Sequence, residues 1–312
     1  MKSSPLAHRS SQFFRGIALA GIVALAGTTL GGCSDEDVNA IQSGAAVPGE
    51  ADISVVASFY PLAYLAERIG GDAVVVTDLT PPGGHAHDLE LSPRQVAAIG
   101  KADVVMYLGD SFQPAVEDAV LQESTNSLDG MEVVDDNLLL PGDAHIWLDP
   151  MIMADLGDAL AEQLSEADPG QAELFESNAL ELREELEEIN LEYEEALAGC
   201  KGETLITSHQ AFGYMAQAYG LNQVGVTGIN PDAEPSPKRI RELEQTMWES
   251  GATTLFFEAQ TASATEQKLA DALGVGTGHL ETLESAPFAA DDYVGALRAN
   301  LEALRSGLEC AR

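Results

Sequence analysis

Between Asp168-Pro169 and Gly199 the chain runs for nearly thirty residues with no proline and, after Gly170, no glycine. Leu174, Leu182, Leu186, Ile189, Tyr193 and Leu197 recur there at intervals of three, four or eight, so one helix over about 170–198 is predicted. At 1.5 Å per residue it would be roughly 43 Å long, enough to run the length of two small domains. Its remaining positions are rich in Glu and read as a solvated face. A single helix of this length in the middle of a 312-residue chain divides what lies on either side.

On both sides, short β-branched runs alternate with helical stretches, the pattern of βα units around parallel sheets. The predicted strands are 53–57, 73–79, 103–108 and 132–134 before the helix, and 204–207, 223–226 and 254–257 after it. No internal repeat of fixed period is evident. The fold class is therefore α/β, with parallel-type sheets on either side of the long helix. The chain divides into residues 52–168, the helix at 169–199, and residues 200–312.

Ahead of these lies a segment of different character. Lys2, Arg9 and Arg15 precede the apolar run Ile17–Leu30, and no Asp or Glu occurs before Asp35. The run is too short and too rich in Gly and Ala to span a bilayer comfortably, and reads as a secretory signal over 1–32. It ends in Leu30-Gly31-Gly32-Cys33, which resembles a bacterial lipobox, with Cys33 acylated as the new N-terminus. Residues 33–51, small, polar and acidic, read as a flexible tether. Removing 1–32 leaves Cys200 and Cys310 as an even pair in an oxidising compartment, where a disulfide is the default and two separate buried thiols the alternative.

The chain has 51 Asp and Glu against 15 Lys and Arg, a formal charge of −36. Such a surface repels nucleic-acid phosphates and anionic lipid, so nucleic acid is not an expected partner, and membrane attachment would rest on acyl chains at Cys33.

Of six histidines, three stand where a strand gives way to a helix. His87 follows the strand at 73–79 and a Pro-Pro-Gly-Gly turn, and precedes a helix opening at Ser92-Pro93. His145 lies in DAHIWLDP, ahead of a helix from Pro150, and His209 directly follows TLITS. Taken singly, each reads as well as a helix cap or a loop histidine. Ligands of open α/β sheets bind beyond the carboxyl ends of the strands, so the three can converge on one point. Neutral imidazoles at about 2.0–2.1 Å suit Zn²⁺, with a carboxylate or water as fourth ligand. A zinc hydrolase could use the same histidines with Glu258 or Glu281 as base, but no H-E-x-x-H spacing, nucleophile elbow or phosphate loop is present.

The segments SFYPLAYLAERIGG, GGHAHDLELSP, DAHIWLDP, TSHQAFGYMAQAYGL, EPSPKRIRELE and LFFEAQ, in this order, resemble successive motifs of the zinc/manganese-type solute-binding proteins of bacterial ABC transporters. The resemblance covers nearly all of 52–312. It implies two α/β lobes joined by one long rigid helix, no enzymatic activity, and a metal held between the lobes. It also implies delivery of that metal to an ABC permease with its ATPase subunit, by a monomeric lipoprotein on the outer side of the cell membrane.

Carried over position by position, the motif histidines fall on His87, His145 and His209. A carboxylate in a late L-D-P-L-like segment falls on Glu281, in Leu280-Glu281-Thr282-Leu283, where Glu stands for Asp and Thr for Pro. Glu258 of LFFEAQ reads as a hydrogen-bonding support, and His85 as a solvated or capture residue. Three imidazoles with one carboxylate favour Zn²⁺ over Mn²⁺, which prefers more oxygen donors. Zinc members of the family often carry a His-rich loop before the second ligand. Between Leu108 and Ala144 this chain has nine acids and no histidine, a stretch read as solvated, and this keeps Mn²⁺ or ferrous iron as the alternative cargo.

Overall fold

A computed structural model describes residues 53–308 and Cys310, apart from positions 88, 125, 230–234, 259–263 and 289. The secretory signal, Cys33 and the tether lie outside the described residues. Two four-stranded sheets are present, and all their pairings are parallel. The first contains β1 (Ile53–Ala57), β2 (Val74–Asp78), β3 (Val104–Tyr107) and β4 (Ser127–Asp129), in the order β2-β1-β3-β4. The second contains β5 (Thr204–Thr207), β6 (Asn222–Gly225), β7 (Thr254–Glu258) and β8 (Gly276–Leu280), in the matching order β6-β5-β7-β8.

One expected strand is absent, and one strand is present that the sequence did not announce. Residues 132–134 are not a strand. The strand lies earlier, at β4, and a short helix Gly130–Val133 follows it at once. The cause is Asp129, whose Oδ1 accepts the amide N–H of Met131 at 2.9 Å and so caps that helix. β8 carries no β-branched run to announce it, since two of its five residues are glycine. Gly278 is needed there because an added Cβ would stand 2.6 Å from Cδ1 of Phe256 on the neighbouring strand.

Alternate residues of the central strands face two cores, as buried parallel strands require. Val55 and Ala57 of β1 and Leu205 of β5 face a shared core, together with the linking helix. Val56 packs outward with Ile99 and Val116, and Ile206 outward with Leu243 and Leu255. The linking helix runs Ala172–Leu197 and buries Phe175, Ala179, Leu182, Leu186, Ile189, Tyr193 and Leu197. Leu174, assigned to the apolar face from sequence, is exposed, and Phe175 takes its place.

The helix is fastened at both ends. Near its start Asn178 donates to the Ile69 carbonyl at 2.8 Å, in the first lobe. Near its end the Tyr193 hydroxyl donates to the Leu297 carbonyl at 2.6 Å, in the second. Just past it, Cys200 is joined to Cys310 as a disulfide, with Cα atoms 4.9 Å apart. Among the described residues no helix is long and apolar enough to cross a membrane.

Candidate metal centre

Each proposed donor sits on a connecting segment outside the helices and strands. His87 stands on the segment between β2 and the helix Pro93–Ile99, whose start is fixed by a capping box of Ser92 and Gln95. His145 immediately precedes a 3₁₀ turn, Ile146–Leu148, and the helix Pro150–Ala167, capped by Asp149. His209 follows β5 by two residues.

The three imidazoles converge. Nε2 of His87 lies 3.3 Å from Nε2 of His145. The fourth member of the group is Glu284, whose Oε1 is 3.6 Å from His87 Nε2 and 4.0 Å from Nε2 of both His145 and His209. A tetrahedral ion with bonds of about 2.05 Å separates its ligand atoms by roughly 3.3–3.4 Å; His87, His145 and Glu284 form a tight group near this spacing, and His209 stands outside that group, meeting it through Glu284 at 4.0 Å. His145, His209 and Glu284 are buried and His87 is half-buried. His209 Nε2 and Glu284 Oε1 are buried without a hydrogen-bond partner, an arrangement that costs about 1–3 kcal/mol per group unless something binds them.

The outer nitrogens meet carboxylates. Asp143 Oδ1 lies 2.7 Å from His145 Nδ1 and also accepts the His145 amide N–H at 3.0 Å. Glu258, read from the sequence as a hydrogen-bonding support, has Oε1 2.7 Å from His209 Nδ1, but that nitrogen is buried without a hydrogen-bond partner, so the two are in contact and not hydrogen-bonded. With the proton drawn to Nδ1 by Asp143, Nε2 of His145 presents its lone pair to the centre. Burial pushes the His145 pKa down despite Asp143, which keeps the ring neutral. Burial opposes ionisation of Glu284, but a hydrogen bond from His87 and the attraction of His87, His145 and His209 wherever they carry a proton outweigh it, and the carboxyl is held below the usual glutamate range.

Glu281 is not brought to this group. Its backbone is paired with the carboxamide of Asn300, at 2.7 and 2.9 Å, and its Oε1 accepts the Phe288 amide N–H at 3.2 Å. It therefore braces the loop that carries Glu284. Between the two glutamates Leu283 adopts a left-handed φ of 59°, costly for a large side chain, and the chain turns there. Trp147 Nε1 donates to the Thr282 carbonyl at 2.7 Å, tying that loop to the segment after His145. His85 and His279 are exposed and lie outside the group.

Sequence reasoning missed Glu284 and the role of Asp143. The second was available as the D-x-H spacing of DAHIWLDP, which places a carboxylate beside the ring two residues on. Reading all the acids between Leu108 and Ala144 as solvated does not hold for Asp143, which is 6% exposed, or for the capping Asp129.

Comparison with known proteins follows the same lines. The family model described as "Zinc-uptake complex component A periplasmic" matches residues 55–307. "Zinc-binding protein AdcA" of Streptococcus pyogenes serotype M6 is 31% identical over 291 residues, covering 83% of this chain and 56% of the relative. "Zinc-binding lipoprotein AdcA" of Streptococcus pneumoniae strain R6 is 30% identical over 276 residues, covering 81% of this chain and 55% of the relative. The chain thus spans just over half the length of these curated relatives. The solved structure of the Zn(II)-bound ZnuA-like domain of the S. pneumoniae AdcA superposes with a TM-score of 0.72 at 31% identity, covering 82% of this chain and 99% of that one. The chain belongs to the ZnuA family, the periplasmic A components of zinc-uptake complexes.

Proposed function

We propose that this chain is the extracytoplasmic solute-binding component of a zinc ABC importer. It captures Zn²⁺ through His87, His145, His209 and Glu284 and hands the ion to a membrane permease driven by an ATPase subunit. The observation that carries this reading is the tight group of His87, His145 and Glu284, with His209 Nε2 also 4.0 Å from the same Glu284 oxygen, and with that oxygen and that nitrogen buried and unpaired. Three nitrogens and one oxygen suit Zn²⁺ better than Mn²⁺. The names of the AdcA relatives, zinc-binding protein and zinc-binding lipoprotein, support the same cargo and an anchored form. Acylation of Cys33 would hold the chain at the outer face of the membrane as a monomer, since its own charge repels anionic lipid.

Chemically, Asp143 keeps the His145 ring in the tautomer that binds, Glu258 places a carboxylate against His209, and Glu284 supplies one negative charge. The centre excludes most water, and all four donors come from the protein, so the ion is held without a coordination position open to a reactant. Release requires that the loops bearing the donors be moved apart, a task for the permease. The test is elemental analysis of protein purified without added metal, followed by competition between Zn²⁺ and Mn²⁺. One zinc per chain, not displaced by equimolar manganese, is expected. A chain that carries manganese or iron, or binds both ions equally, overturns the assignment.

A further inference from the structure

His87 is the least supported of the four donors. His145 and His209 each have a carboxylate behind the ring, while His87 stands on the stretch between Asp78 and Pro93, which contains no helix or strand among its described residues. Two side chains from another part of the lobe meet it. The ring of Phe112 packs edge-on to the His87 ring at 4.6 Å, and is itself set against Phe59 and Trp147, each at 5.2 Å.

The next residue, Gln113, is 1% exposed, and its Nε2 donates to the carbonyl of Ala86 at 3.0 Å. The same nitrogen lies 3.4 Å from the Ser58 carbonyl and from Thr80 Oγ1, which in turn donates to Ser58 O at 2.8 Å. Ser58 follows β1, Thr80 follows β2 and Gln113 follows β3, so one carboxamide joins three strand exits to the residue before the metal donor.

Gln113 does more than fill space. Its Oε1 is buried without a partner, a cost that an apolar side chain of equal size would avoid. What the amide contributes is its donor to Ala86. The backbone ahead of the pair is strained: Asp110 and Ser111, neither glycine, are left-handed in succession, with φ of 56° and 63°. Asp129 Oδ1 holds the Gly109 amide at 2.8 Å and Glu117 Oε2 the Ser111 amide at 3.2 Å, and the turn delivers Phe112 and Gln113 to the His87 loop.

We propose that Phe112 and Gln113 are positioning residues for His87, fixing the plane of its ring and the carbonyl before it so that the imidazole is presented to the incoming ion. This rests on the metal site proposed above. A double-mutant cycle with a chromophoric zinc chelator as competitor, run on the intact chain, tests it. Gln113→Met, which keeps volume and loses the donor, is expected to weaken zinc binding about tenfold when His87 is present. In a His87→Ala background the same change is expected to alter affinity less than twofold. Phe112→Leu is expected to follow the same pattern, and provides the cycle if Gln113→Met fails to fold by circular dichroism. Equal losses in both backgrounds, or no loss with His87 present, overturn the proposal. A parent chain that binds no zinc, or a His87→Ala chain that binds as tightly as the parent, instead overturns the site itself.

Discussion

A histidine binds a metal through a lone pair, so its proton must sit on the other nitrogen, and the residues beside each ring decide whether it does. That logic makes Glu284 and Glu281 separable although only two residues lie between them. Glu284→Gln should weaken zinc binding at least tenfold in calorimetric titration, as should alanine at His87, His145 or His209. Glu281→Gln, whose side-chain oxygen can still accept from Phe288, should leave affinity within about threefold.

The pKa shifts of two of the donors, His145 and Glu284, also give pH a direction. Because burial lowers the His145 pKa, the unfolded chain takes up a proton from about pH 6.5 downward while the folded chain resists it. The stability contributed by neutral His145 is therefore present above pH 6.5 and lost as pH falls toward its folded value. Glu284, also lowered, adds stability above about pH 4.3 that is lost below it. Asp78, pushed up to about 6 by burial, works in the opposite sense, so the histidine's part is read as a difference. In metal-free protein, the Tm of the parent relative to His145→Gln should fall between pH 7 and pH 5. A difference independent of pH would remove that role. At this scale the three histidines were legible from the motifs around them; the expected strand-to-helix placement holds closely only for His209, since His87 lies well past β2 and the element before His145 is a helix. The choice between two glutamates was not legible, because the letters L-E-T-L-E do not show the left-handed turn at Leu283 that lies between them.

The elements follow from pattern wherever the pattern is strong. β5 is an uninterrupted apolar or β-branched run and β1 is one broken only by Ser54, and both begin and end where the sequence puts them. β4 and β8 have no such run: one is cut short by its own capping aspartate, the other packs through a glycine. The matching order of the two sheets left no readable repeat, since parallel strands need only apolar character, which many sequences supply. The disulfide at the end of the linking helix closes a loop of 110 residues, for which the chain-entropy account gives roughly 4–5 kcal/mol. Reduction should therefore lower the Tm markedly while zinc affinity changes little, because neither sulfur is near the four donors in role. Loss of zinc binding on reduction would show that the second lobe needs the bridge to hold His209 and Glu284 in place.

For the molecule as a whole, the linking helix is pinned by Asn178 to one lobe and by Tyr193 to the other, and one core runs through both. Wide hinge closure would break these contacts, so loading should shift loops rather than lobes. Small-angle scattering of metal-free and zinc-loaded protein should give nearly superimposable curves, and a large compaction on loading would contradict a rigid strut. Two lobes and a strut were legible in the sequence because one long amphipathic period stands between two βα series.

Diffraction from zinc-soaked crystals at the zinc absorption edge tests the central claim most directly. One anomalous peak is expected, about 2.0–2.2 Å from Nε2 of His87, His145 and His209 and from Oε1 of Glu284. A peak bonded to Glu281 with Glu284 turned away, or no peak among the three histidines, would contradict it.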